Sequence, residues 1–163
     1  MTGADTFDEF YRGSRQRLYQ AVYAMCGDAA EAQDAVQEAY ARAWQRWSAV
    51  SGYRDPEAWV RTVARRIAIS RWRKGRNRLL AHHRAGEPAA LPGPDPGTMT
   101  LMRALDQLAA PQRVAIVLHH LVGLSVAEIA AETGVAAGTV KARLSRGRRA
   151  LAQLLGVVED AHV

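Results

Sequence analysis

The chain has 163 residues, a formal net charge of +6 and a pI near 10.1, which suits one or two small domains with a polyanionic partner. Cys26 is the only cysteine, so an intrachain disulfide and a cysteine-cluster metal site are excluded, and Cys26 is best explained as a small buried hydrophobe. The sequence shows neither an N-terminal signal pattern nor an apolar run of membrane-spanning length. We therefore expect a cytoplasmic protein with no membrane insertion.

The charged residues are segregated along the chain. Residues 71–84 carry six basic residues and no acid, and residues 136–149 also lack acids. Residues 28–38 carry four acidic residues and no base. Basic segments suit nucleic acid, whereas an acidic segment repels it and suits a basic protein. The sequence therefore predicts two kinds of partner.

Two amphipathic helices are predicted at the start of the chain. Thr6 begins the first, with Glu9 closing a capping box, and Gly27 ends it. Asp28 caps the second, with an acid three residues later. Apolar residues at helical spacing predict its inner face: Ala32, Val36, Ala39, Tyr40, Ala43, Trp44 and Trp47. On the opposite side lies the acidic strip (Glu31, Asp34 and Glu38), which is either an ordinary solvated face or a docking site for a basic protein.

A third helix is predicted after a loop from Ser48 to Arg54. The run Asp55-Pro56-Glu57 combines a cap, a proline at the first helical position and an acid at the positive end of the helix dipole. We expect this helix to reach about Lys74, with Gly75 as its stop. Its core face is predicted from Trp59, Val60, Val63, Ala64 and Ile67, and its outer face from Arg61, Arg65 and Trp72. Basic residues interleaved with an aromatic ring suit nucleic acid, although Ile69 and Trp72 can instead complete the core.

Residues 85–98 contain four prolines and three glycines, which predicts a linker without a core of its own. The predicted organisation is a first domain over residues 5–80, a linker over residues 81–98 and a second domain over residues 99–157. One helix of the second domain is marked by Leu101, Leu105 and Leu108. Another begins at Pro111, carries Val114, Val117, Leu118 and Leu121, and ends at Gly123. No segment alternates as a strand does, so the predicted fold is all-α, with two small helical domains.

Residues 124–151 have the pattern of a helix-turn-helix. Ser125 and Glu128 form a capping box, Gly134 supplies a left-handed turn residue, and a basic second helix starts near Ala136 or Ala137. Its predicted inner face is Val140, Leu144 and Leu151. The opposite face offers three small residues that permit close approach to a major groove, with basic side chains around them: Gly138, Ala142, Ser145, Lys141, Arg146, Arg148 and Arg149. The alternative is a solvated basic face on an ordinary surface helix.

Three segments in this order resemble a bacterial extracytoplasmic-function sigma factor. The run Asp34-Ala-Val-Gln37-Glu38-Ala-Tyr-Ala-Arg-Ala-Trp44 is similar to the polymerase-binding helix of that family. Residues 59–74 are similar to its promoter-melting and −10-reading helix, and residues 105–151 to its −35-reading domain. The likeness covers residues 5–80 and 99–155. It implies core RNA polymerase (β′ clamp and β flap), promoter DNA and a cognate anti-sigma factor as partners.

The resemblance also implies roles for single residues. Contacts with the β′ clamp are implied for Asp34, Gln37 and Glu38. Contacts with the −10 element are implied for Tyr53, Arg54, Arg65, Arg66, Ser70 and Arg71. The loop from Ser51 to Arg54 is expected to hold a flipped-out base, on which Tyr53 can stack for roughly 1–3 kcal/mol. Arg66 and Ser70 stand where the family commonly has an amide. Contacts with the −35 element are implied for Lys141, Ala142, Ser145 and Arg146, beside the phosphate-neutralising Arg149.

Two other function classes fit parts of the sequence. A self-sufficient transcriptional regulator explains the basic helix but gives the acidic strip and the linker no purpose. An enzyme would have to rely on His82-His83 or His119-His120, whose members point about 100° apart on a helix and so do not chelate one metal. Phosphate-binding glycine loops and His-Glu-x-x-His motifs are absent. We expect no bond chemistry and no cofactor, with His82 and His83 extending the basic tail and His119 and His120 as partly buried packing residues.

Overall fold

The computed structural model describes residues 2–79 and 95–156, with the side chains of Trp72, Arg73 and residues 75–79 left undescribed. These ranges contain helices and turns and no β-strand, which confirms the all-α fold class. The chain divides into two compact units, residues 1–89 and 90–163. Most of the predicted linker, including His82 and His83, lies outside the described residues. No helix within them is long and apolar enough to cross a membrane.

The first unit consists of α1 (Gly3–Cys26), α2 (Ala29–Gln45), the short α3 (Trp47–Val50) and α4 (Pro56–Leu79). The inner face of α2 is lined with alanines that are fully buried, namely Ala32, Ala35, Ala39 and Ala43. Side chains this small let α1 and α4 approach the backbone of α2 closely. Val22 of α1 and Val60 and Ala64 of α4 complete the core, and Cys26 is buried there as expected.

The predicted starts of α2 and α4 are confirmed by their capping bonds. The Asp28 side chain accepts from the backbone N–H of Glu31 at 3.1 Å, and the Asp55 side chain accepts from that of Ala58, also at 3.1 Å. Gly27 ends α1 at a φ of 70°, a left-handed conformation that favours glycine. Each cap satisfies an N–H or C=O group that the helix leaves unpaired.

The predicted start of α1 is wrong by one turn. Thr2 is the N-cap, and it forms a reciprocal capping box with Asp5. The sequence thus contains two capping boxes one turn apart, Thr2-x-x-Asp and Thr6-x-x-Glu9. The residues between them are compatible with a helix, so the helix begins at the earlier box. The hydroxyl of Thr6 instead donates to the Gly3 carbonyl and accepts from the indole N–H of Trp47 at 2.9 Å.

Two other boundaries in the first unit also differ from prediction. Helix α4 continues through Gly75 to Leu79, because a helical glycine costs only about 1 kcal/mol relative to alanine and is tolerated within a long helix. The segment predicted as a loop from Ser48 to Arg54 begins inside α3. The chain therefore turns towards α4 only over residues 51–55.

Two side chains lie on the opposite side from the one predicted. Trp44, predicted to be buried, is 51% exposed and contacts the ring of Phe7 at 5.1 Å between centroids. Arg61, predicted on the outer face of α4, is buried with 6% exposure. A 3.6-residue period tolerates an aromatic or basic residue near the edge of either face, so periodicity alone does not place such a residue. Ile69 is half-buried.

The second unit consists of α5 (Pro96–Asp106), α6 (Ala110–Ile116) continued by a π-helical segment (Val117–Leu121), α7 (Val126–Thr133) and α8 (Ala137–Leu154). Asp95 caps α5, so this helix begins inside the range predicted as linker. Leu105 and Leu108 are buried as expected, although Leu108 follows the end of α5. Leu101 and Leu121 were predicted to pack in this domain and are 42% and 54% exposed.

A buried arginine fastens the turn between α5 and α6. Arg113 is only 2% exposed, and its guanidinium donates to the backbone carbonyls of Leu105, Asp106 and Leu108 at 2.8, 3.2 and 2.8 Å. These carbonyls belong to the last turn of α5 and the residues after it, where a helix leaves acceptors without intrahelical donors. One side chain thereby satisfies several of them and fixes the path of the chain into α6.

Candidate nucleic-acid interface and acidic docking surface

Helices α7 and α8 form the helix-turn-helix that the sequence predicts. Ser125 and Glu128 make a reciprocal capping box, with both bonds at 3.1 Å, and Gly134 ends α7 at a φ of 73°. Val140 and Leu144 of α8 are buried, with 0% and 2% exposure. These contacts hold α8 by one face and leave the opposite face to solvent.

The residues expected at the −35 element share that outer face of α8. Lys141, Ser145, Arg146 and Arg149 are exposed, and Ala142 is half-buried. Gly138, at the start of the helix, is exposed, and a Cβ at its position would meet no atom within 4 Å. The face is therefore basic at its edges and low in relief between them, a shape that lets a helix backbone lie deep in a major groove.

Gly147 lies on the buried side of α8 and explains how closely this helix packs. A Cβ at this position would lie 2.8 Å from Cγ1 of Ile116 on α6. The absence of a side chain therefore sets the distance between α8 and α6. In the sequence Gly147 interrupts a basic run, and that interruption was the available signal for a close helix contact.

Two histidines of the π-helical segment make hydrogen bonds, and one of these bonds reaches α8. His119 Nδ1 donates to the Leu124 carbonyl at 2.7 Å, and His120 Nε2 accepts from Arg148 Nε at 3.1 Å. Acceptance requires a neutral His120, and burial, the Arg148 guanidinium and His119 all lower the pKa of His120 from its usual 6.5. His120 is exposed rather than partly buried as predicted, whereas His119 is half-buried as expected.

The residues expected at the −10 element lie on α4 and on the loop before it. Tyr53 is 47% exposed, and its backbone N–H donates to the Val50 carbonyl at 3.1 Å, which ties the loop to α3. Arg54, Arg66 and Ser70 are exposed, whereas Arg65 and Arg71 are half-buried. The Tyr53 ring thus stands accessible on a fixed backbone and offers a face for stacking. The expected role of Trp72 falls on a side chain that is not described.

The acidic strip is only partly free for a partner. Asp34 and Gln37 are exposed on α2, and none of the hydrogen bonds and ion pairs described involves either side chain. Glu38 is half-buried and pairs with two arginines, Arg42 at 2.5 Å and Arg71 at 2.6 Å. Pairs as exposed as these are worth about 0.2–1 kcal/mol each. Of the three residues expected to contact polymerase, Glu38 alone also contacts a residue expected to face DNA.

Comparison with known proteins gives consistent assignments for both units. The family model for Sigma-70 region 2 matches residues 10–78, and that for Sigma-70, region 4 matches residues 98–151. The ECF RNA polymerase sigma factor SigL of Mycobacterium tuberculosis H37Rv is 38% identical over 142 residues, which cover 82% of this chain and 80% of SigL. The RNA polymerase sigma-E factor of Streptomyces coelicolor is 31% identical, over 91% of this chain and 83% of that protein.

A solved structure shows the same fold. The sigma factor RpoE of Bartonella quintana, in complex with the anti-sigma factor NepR, superposes with a TM-score of 0.76 at 30% identity, covering 94% of this chain and 98% of RpoE. Matches to both sigma regions, in the expected order, exclude a self-sufficient regulator with an unrelated first domain. The chain belongs to the extracytoplasmic-function family of RNA polymerase sigma factors, which bind core RNA polymerase and direct promoter-specific initiation of transcription.

Proposed function

We propose that this sigma factor divides its tasks among three helices. Asp34, Gln37 and Glu38 of α2 contact the β′ clamp of core polymerase. Tyr53, Arg54, Arg65, Arg66, Ser70 and Arg71, on α4 and the loop before it, engage the −10 element. Lys141, Ala142, Ser145, Arg146 and Arg149 of α8 engage the −35 element. The second unit also docks on the β flap.

The observation that carries this proposal is the segregation of charge on exposed helix faces. Asp34 is exposed on α2 with no basic partner among the contacts described, and it repels DNA. The exposed face of α8 carries Lys141, Arg146 and Arg149 and attracts DNA. One chain thus offers surfaces of opposite sign, and a basic protein and a nucleic acid are the partners that match them.

The −10 proposal rests on the exposed ring of Tyr53. Removing a base from the duplex stack costs a few kcal/mol, and stacking on an aromatic ring returns roughly 1–3 kcal/mol. The backbone bond from Tyr53 to Val50 holds the backbone that carries the ring before DNA arrives, so less backbone entropy is lost on binding. Binding energy of this kind lets the protein open a promoter without bond chemistry of its own.

The docking surface is tested by co-elution with core RNA polymerase on size-exclusion chromatography. The Asp34→Lys variant reverses one exposed charge and should lose co-elution, since it places a cation against a basic partner. Glu9→Lys is the matched control: Glu9 is exposed on α1 and undergoes the same charge change. If both variants co-eluted with core polymerase to the same extent, the assignment of α2 as the docking helix would be contradicted.

We further propose that the protein is not an enzyme, that it acts in the cytoplasm with polymerase, and that an anti-sigma factor controls it. Support for the last point comes from RpoE of Bartonella quintana, which was solved with the anti-sigma factor NepR. A controlling protein of this class should compete with core polymerase for the surface around Asp34. Competition is measured by displacement of labelled sigma factor from core, and simultaneous binding of both proteins would contradict it.

A further inference from the structure

Glu38 connects the acidic strip to the DNA-facing side of α4. Its Oε1 accepts from Arg42, one turn further along α2, and its Oε2 accepts from Arg71 of α4. The side chains of Glu38 and Arg71 are 34% and 40% exposed, so solvent and a charged partner can reach both ends of this pair. Glu38 therefore partly neutralises the charge of Arg71, and Glu38 is also a residue with which a basic protein partner would pair.

We propose that Glu38 is a positioning residue that controls when Arg71 can bind DNA phosphate. In the free chain the carboxylate holds the guanidinium and cancels its charge. A basic side chain of polymerase that pairs with Glu38 releases Arg71 towards the DNA. The inference rests on the proposed function, because it takes the acidic strip as the polymerase-binding surface.

The position of Glu38 separates it from its neighbours on α2. Asp34 and Gln37 make none of the contacts described with α4, so a partner that binds them leaves α4 unchanged. Ion pairs between partly exposed side chains are weak, and a competing cation in similar geometry can exchange with one of their members. Docking thereby favours the contact of Arg71 with DNA, and without docking the basic surface of the free subunit binds unspecific DNA less tightly.

The test measures DNA binding by the free full-length chain. The probe is a fluorescein-labelled, mixed-sequence single strand of about 20 nucleotides, followed by fluorescence anisotropy at several salt concentrations. Glu38→Gln should bind more tightly than wild type. One additional phosphate contact makes the slope of log K against log salt concentration steeper by about 0.7. The ratio of the affinities of Glu38→Gln and wild type should therefore fall roughly threefold between about 50 and 200 mM salt.

Two controls decide whether Arg71 is responsible. Asp34→Asn removes one negative charge from the same helix without releasing an arginine, so its gain should be smaller and its salt slope unchanged. In the Arg71→Gln background, Glu38→Gln should gain no more than Asp34→Asn does. Equal gains for Glu38→Gln and Asp34→Asn, or a gain that persists without Arg71, would overturn the inference. Circular dichroism of each variant checks that the fold is retained, since unfolding also exposes basic side chains to the probe.

Core binding is the independent readout for the proposed function. Suppose that Asp34→Lys still co-elutes with core polymerase while Glu38→Gln binds the single strand more tightly. The docking assignment then fails, and the conclusion that Glu38 restrains Arg71 is kept. If Asp34→Lys loses core and Glu38→Gln shows no gain, the docking assignment stands and the control of Arg71 fails. The two ideas are thus tested by different variants.

Discussion

The contact of Gly147 with Ile116 shows how a single residue sets the position of α8, the second helix of the helix-turn-helix. A helical glycine ordinarily lowers helix stability by about 0.5–1 kcal/mol relative to alanine. At this position the missing side chain lets α8 lie against Ile116, which is 5% exposed and has little room to move. Helix propensity and helix packing therefore make opposite demands on the residue, and packing decides.

Substitution Gly147→Ala should destabilise the second unit by about 1–3 kcal/mol, because its Cβ would overlap Cγ1 of Ile116. Gly138→Ala is the matched control on the same helix. It meets no atom within 4 Å and should be neutral or slightly stabilising. The measurement is denaturant unfolding followed by far-UV circular dichroism. Similar effects of the two substitutions would show that propensity rather than packing governs residue 147.

The bond from Arg148 to His120 makes the second unit sensitive to pH. The pKa of His120 is lowered in the folded chain, so the unfolded chain binds the proton more readily. The stability that this group contributes is present above pH 6.5 and is lost as pH falls through the folded pKa. His120→Gln retains an acceptor for Arg148 but does not titrate.

Wild type should therefore lose more unfolding free energy than His120→Gln between about pH 7.5 and 5. The comparison isolates His120, because His119 and the other titrating groups are present in both proteins. Denaturant unfolding followed by circular dichroism at each pH supplies the values. If the difference in unfolding free energy between the two proteins stayed constant across this pH range, protonation of His120 would not affect the stability of the second unit.

At the scale of elements, turns are held by side chains as much as by helix packing. Arg113 donates to three carbonyls at the α5–α6 turn while it is almost completely buried. A buried cation is tolerated only with such partners. Helix α8 packs on α6, so the order of this turn bears on the position of α8.

Arg113→Met should destabilise the second unit by about 3 kcal/mol or more, since methionine fills similar space but leaves buried carbonyls without donors. Arg103→Met, at an exposed position on α5, should change stability by less than about 0.5 kcal/mol. Circular dichroism monitors the loss. Because all four tryptophans lie in the first unit, the midpoint of the unfolding transition followed by tryptophan fluorescence should not change. A shift of both transitions would show that the units unfold together.

Most helices and several of their caps followed from the sequence, whereas contacts between helices did not. Asp28, Asp55, Ser125 and Gly134 were identified because a cap depends on residues within one turn of each other. The orientation of Arg61 and the pairing of Glu38 with Arg71 depend on residues far apart in sequence, which periodicity does not register. The candidate site residues therefore lie on elements that the sequence predicted, and the ion pair that links two of their groups was missed.

At the scale of the whole molecule, the net charge of +6 conceals surfaces of opposite sign in separate places. The acidic strip belongs to the first unit and the helix-turn-helix to the second. The acidic strip and the basic face of α8 therefore belong to separate compact units. The separation predicts that substitutions in the two surfaces affect different steps.

Arg146→Ala on the exposed face of α8 should leave core-polymerase binding unchanged and weaken promoter binding by the reconstituted holoenzyme. Loss of one side chain at a base edge costs about 1–3 kcal/mol, roughly 5- to 150-fold in affinity, and relaxes sequence preference at one position. Arg149→Ala should instead weaken binding to all sequences and reduce the salt slope by about 1, because a phosphate contact is lost. Core affinity by co-elution and promoter affinity by anisotropy, measured on the same preparations, separate these effects from those of Asp34→Lys. An Arg146→Ala protein that lost core polymerase would show that the exposed face of α8 serves docking, and the proposed division of tasks among the three helices would then be wrong.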